Sequence, residues 1–166
     1  MGLWTQNTFR VITDAPLPTD YFGKAYKESD DLQYRRPDGT ITPREVFEKA
    51  LKENMKQWEY IEAHEDEFLL VGEGHTLQYV CQNREIGYTF LNKPQTGYET
   101  IFCGATPDTC AEENMNWFVN KCKKIHEDTG ANIEFMHAKC RSDLNGLYEC
   151  KNESIGCDLP FEERFR

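Results

Sequence analysis

Two hydrophobic periods alternate along this chain. Between residues 44 and 61, Phe47, Ala50, Leu51, Met55, Trp58 and Ile61 recur every three or four positions, which places one apolar stripe on a helix. Thr42-Pro43-Arg44-Glu45 ahead of the stripe reads as a capping box with proline at the first helical position. Ile41 and Val46 flank it as a hydrophobic staple, and Glu45–Lys49 and Glu48–Lys52 are favourable i,i+4 pairs on the outer side. The pattern predicts one helix ending near His64. A second stripe, Ala111, Met115, Phe118, Val119, Cys122 and Ile125, follows another box at Thr109-Cys110-Ala111-Glu112. Lys121, Lys123, Lys124 and His126 gather at its negative end, and Gly130 is a natural stop.

Elsewhere the period is two. Residues 7–13 predict a first strand, with Phe9 and Val11 alternating with Arg10 and Ile12. The segments EFLLVGEG, TLQYVCQ, EIGYTFLN and YETIFCG predict four short strands, broken at Gly72, Gly74, Asn83, Asn92-Lys93-Pro94 and Gly97. Residues 131–138 predict the last strand. Residues 19–41 carry a turn signal at Pro37-Asp38-Gly39 and no assignable period. Residues 141–166 read as an irregular tail, with Tyr148, Phe161 and Phe165 as anchors. The order β, α, several β, α, β predicts a single α+β domain over residues 1–166. Two principal helices would pack on one face of a mostly antiparallel sheet, with a ferredoxin-like arrangement as the nearest template.

Charge narrows the function. The 166 residues include 29 acids against 19 Lys and Arg, a net charge of −10. That balance argues against direct nucleic-acid binding and against binding an anionic membrane surface, since both need clustered cations. It suits a protein partner with a basic surface, including one that normally holds nucleic acid. No segment reads as a signal peptide or a membrane span, and Gln6 spoils a myristoylation motif at Gly2. The expected location is cytoplasmic or otherwise intracellular. The odd count of seven cysteines then argues against a disulfide framework.

Three stretches carry candidate chemistry. Cys122 and His126 stand one helical turn apart and, with His137 and Cys140, supply four residues of zinc-ligand type. On an extended strand, however, His137 and Cys140 point to opposite faces, so the set needs a turn at Ala138. Cys110 lies in the first turn of the second helix, where the positive helix end favours a thiolate. Asp108, Glu112 and Glu113 oppose that effect. A cysteine-dependent enzyme or a zinc-binding protein is therefore the alternative reading. The glycines of VGEGH at 71–75 do not form a phosphate-cradling loop. The third stretch is acidic: Glu59, Glu62, Glu65, Asp66 and Glu67, with Trp58 and Tyr60 beside them and no Lys or Arg from 59 to 67. It predicts a docking surface for a basic protein, with the aromatics as anchors. The leading expectation is a small acidic protein that works by protein binding without a cofactor. It would be an inhibitor or regulator of a nucleic-acid-handling partner, a profile that matches viral accessory proteins by analogy alone.

Overall fold

Strand β1 (Trp4–Thr13) has neighbours on both edges and cover on both faces. The computed structural model describes residues 3–27, 34–35, 41–42, 44–55, 57–73, 76–90, 92–142, 146–151 and 157–158. After β1 come β2 (Lys24–Ala25), β3 (Tyr34–Arg35), β4 (Ile41–Thr42), α1 (Arg44–Asn54), α2 (Trp58–Ala63) and β5 (Leu69–Glu73). A long hairpin follows, β6 (Thr76–Phe90) and β7 (Lys93–Pro107), then α3 (Ala111–Lys123) and α4 (Ile125–Thr129). Strands β8 (Ile133–Ser142), β9 (Gly146–Lys151) and β10 (Cys157–Asp158) complete the order. The main sheet has eight strands, β2-β5-β6-β7-β1-β8-β9 with β10 also paired to β6, and its pairings are antiparallel. Strands β3 and β4 form a separate ribbon. The fold is α+β with a mostly antiparallel sheet.

The two helical layers lie on opposite faces of the sheet, which corrects the expectation of helices on one face. Ile101, Cys103 and Ala105 of β7 join Leu77, Tyr79 and Cys81 of β6 beneath Phe47 and Leu51 of α1 and Ile61 of α2. Residues of the other parity, Phe9, Val11, Val80, Phe102, Ala138 and Cys140, pack beneath Phe118, Cys122 and Ile125 of α3 and α4. The reason is that β7 is apolar on both parities from Ile101 to Ala105 and both parities of β1 are buried. Residues 7–13 and 99–107 are all buried, and a sheet with two apolar faces needs two covers. On the α3 side the cover is aromatic. Phe9 stacks on Phe118 at 4.7 Å, and Phe22 meets Phe102 edge-on at 4.6 Å.

Both predicted helices are interrupted. The first breaks between Asn54 and Trp58, where Gln57 sits near φ −87° and ψ 0° and its side chain accepts a hydrogen bond from Gln6 of β1. The second breaks at Lys124, and the Tyr21 hydroxyl bridges the two pieces, 2.9 Å from Asp128 Oδ2 of α4 and 3.4 Å from the Lys121 carbonyl oxygen of α3. Helix α3 begins directly after Cys110, the last residue of a 3-10 turn from Asp108; the predicted Thr109 cap is not formed, and Gly130 ends α4 at φ 80° as expected. Side chains at Thr42, Pro43 and Val46 lie outside the described residues. Glu48 bonds Arg44 at 2.8 Å and accepts the Tyr79 hydroxyl from β6.

Three predicted strand breaks turn out to be internal features. Asn83, at φ 60°, forms a bulge inside the continuous strand β6. Gly72 pairs with both Lys24 and Leu77. Gly97 lies within β7, where an added Cβ would come within 3.0 Å of Ile12 and Tyr88. The tail after Cys140 is not irregular throughout. β8 runs on to Ser142, β9 pairs back on it, and β10 reaches β6. The Tyr148 side chain, Phe161 and Phe165 lie outside the described residues.

Candidate functional site

The acidic stretch forms the outer face of α2 and the turn after it. Glu59, Glu62, Glu65, Asp66 and Glu67 are all exposed, while Ile61 between them is buried. The aromatic neighbours hold this element to the sheet instead of projecting from it. Trp58 is half-buried and meets Tyr79 edge-on at 5.9 Å. Tyr60 stacks on His64 at 4.1 Å and abuts Phe68 at 6.1 Å. The tertiary structure also brings in a cation that residues 59–67 lack. Arg84 of β6 donates to the Tyr60 hydroxyl at 3.0 Å. That bond, with the charge of Glu67 contributing less, holds the guanidinium above its ordinary pKa.

The four Cys and His residues are not brought together. Cys122 and Cys140 are buried in the core beneath α3, and His126 is exposed on α4. β8 runs straight through Ala138, so the turn the set needs is not made. His137 pairs with Arg10 and Cys140 with Asn7, which puts the two side chains on opposite faces. Among the described residues, no three of His, Cys, Asp and Glu are grouped to hold a metal ion. Cys110 precedes α3 half-buried; burial first, and then Glu113, push its thiol pKa up, against the opposing hydrogen bond with Thr109.

The structure reveals a different concentration of polar groups, inside the molecule. On the α3 side, Ser142, Thr5 and Thr106 are in register across β8, β1 and β7. Asp108 accepts from Thr5 Oγ1 at 2.6 Å and from Ser142 Oγ at 3.0 Å. The next row holds Asn7, Gly104 and Gln78, and Asn114 is buried on α3, one turn before Phe118. On the α1 side, Arg10 and Glu99 form a buried ion pair at 2.5 Å. Two of these residues carry a signal in the sequence. Asn7 shares the parity of Phe9 and Asn114 stands one turn before Phe118, each a polar residue at an apolar position of its period. Gln78 shares its parity with Thr76 and Gln82 and reads as the polar side of its strand.

Among the described residues, no helix is long and apolar enough to cross a membrane. No protein-family model matches the chain, and neither a curated protein nor a solved structure is similar enough to match it.

Proposed function

We propose that the protein acts by binding a basic protein surface through the outer face of α2 and the turn that follows, as an inhibitor or regulator of a nucleic-acid-handling partner. The observation that carries this reading is geometric: Glu59, Glu62, Glu65, Asp66 and Glu67 project together from one short element whose aromatic side is anchored to the sheet. A surface already held in place loses little conformational entropy on docking. The charge favours fast, salt-sensitive association with a cationic partner. Arg84 sits at the margin of the patch, engaged with Tyr60, and leaves the outer carboxylates available.

The test compares wild-type protein with a variant reversing Glu59, Glu62, Glu65 and Asp66 to Lys. Each is used as bait, and a captured protein is then purified and titrated against both. The expected result is a basic partner whose affinity falls at least about tenfold on charge reversal, equivalent to about 1.4 kcal/mol. Its association rate should also fall as salt screens the charges. A partner that binds both chains equally, with no salt dependence, would exclude this surface.

A further inference from the structure

The layer between α3 and the sheet holds more buried hydrogen-bonding capacity than the described residues use. Asn7, Gln78 and Asn114 are 0%, 1% and 1% exposed. Asn7 Nδ2 donates to Thr106 Oγ1 at 2.9 Å. Asn7 Oδ1, both polar atoms of Gln78 and Asn114 Nδ2 have no partner among the described residues. Groups removed from water in this way are almost always answered by something else.

The three amides stand at one level of the layer. Asn7 lies two strand residues, about 7 Å, before Phe9. Asn114 lies one helical turn, about 5 Å, before Phe118, and those two rings are stacked. Helix α3 leaves the sheet beside Trp4, the partner of Pro107, so it runs in the same direction as β1. Gln78 lies across Gly104 on the strand between β6 and β1; an added Cβ there would sit 3.1 Å from Gln78 Cγ and 3.4 Å from Oε1. The glycine lets the Gln78 amide lean toward Asn7.

We infer that Asn7, Gln78 and Asn114 form an internal binding site for a small uncharged molecule that both donates and accepts hydrogen bonds. The atoms on offer define this class: acceptors at Asn7 Oδ1 and Gln78 Oε1, and donors at Gln78 Nε2 and Asn114 Nδ2. Water satisfies the set, and so does the amide or ureido group of a small metabolite. A carboxylate would bring a negative charge that the amide row does not neutralise and that Asp108 in the next row opposes. The site is separate from the α2 surface and lies on the opposite face of the sheet.

Two measurements on the full chain test the site. In wild-type protein, nuclear Overhauser contacts to water are read at the side-chain amides of Gln78 and Asn114, beside native mass spectrometry of the purified chain. Long-lived water contacts at both amides support the site with solvent as its source. A stoichiometric neutral adduct, lost in Asn114→Leu, supports it with a metabolite as its source. Dry amides with no adduct overturn it. In parallel, Gln78→Met and Asn114→Leu are made singly and together. Each single change should lower the denaturation midpoint, and the double should lower it by less than the sum, because the shared molecule is lost once. Strictly additive shifts, or single changes that raise the midpoint, would also overturn the inference.

Discussion

Arg10 stands between Phe9 and Val11 in β1 and reads in the sequence as the polar side of a half-exposed strand. In the structure both it and Glu99 are buried. Its Nε and Nη2 donate to Glu99 Oε2 at 2.8 and 2.5 Å, and its guanidinium lies 5.4 Å from the centre of the Phe135 ring. The partner is 89 residues away, so no local pattern announces the pair. Removing one member of a buried pair leaves the other charge without compensation. Arg10→Met should therefore lower the unfolding free energy by about 3–5 kcal/mol in a denaturant titration. Adding Glu99→Gln should cost much less than an independent second change, and additive losses would show that the two groups do not interact. The cysteines and histidines illustrate the converse. Their types are legible, but whether four of them meet depends on parity along β8, and parity separates His137 from Cys140.

At the scale of elements, helix stripes are local and were legible: Phe47, Leu51 and Phe118 are buried where the period puts them. The breaks within the helices were not legible, because distant residues pin them, Gln6 at Gln57 and Tyr21 at Asp128. Asn83 shows the same limit in a strand. It reads as a turn residue and does adopt φ 60°, yet β6 continues through it. Its side-chain amide accepts from Leu17 N–H at 2.8 Å and donates to Leu17 C=O at 2.7 Å, fastening the loop after β1 to the bulge. Asn83→Ala should cost about 1–3 kcal/mol, from the lost pair of hydrogen bonds and the positive φ. Asn83→Gly should cost less, since glycine accepts that φ. Equal stability of all three proteins by thermal unfolding would mean that the clamp contributes nothing.

For the whole molecule, two apolar sheet faces and two covers leave several ionisable groups deep inside. Burial pushes the Cys140 thiol up from an ordinary 9.0 to about 12. Burial also raises Cys103 and, together with the bond to Glu48, Tyr79. A raised pKa means that folding favours the protonated form. This contribution is complete below the unfolded value and is lost as pH climbs from there toward the folded one. Denaturant midpoints measured between about pH 7 and 11 should hold steady to about pH 9 and then fall. Cys140→Ala should flatten the fall, and a flat wild-type profile would contradict this account.

What the sequence determined by itself follows from short range: the helical stripes, the Gly130 stop, most strand positions, the α+β class and the net negative charge. Periodicity reports which side of an element is apolar, and charge is additive along the chain. The tertiary structure decided everything that depends on which residues meet. It put the helical layers on opposite faces because both parities of β1 and β7 are buried and need cover. It paired Arg10 with Glu99, set Arg84 beside the acidic face of α2, and gathered Asn7, Gln78 and Asn114 into one buried layer. Those contacts rest on strand register and chain reversal, and register is a property of pairs of strands that no single segment contains.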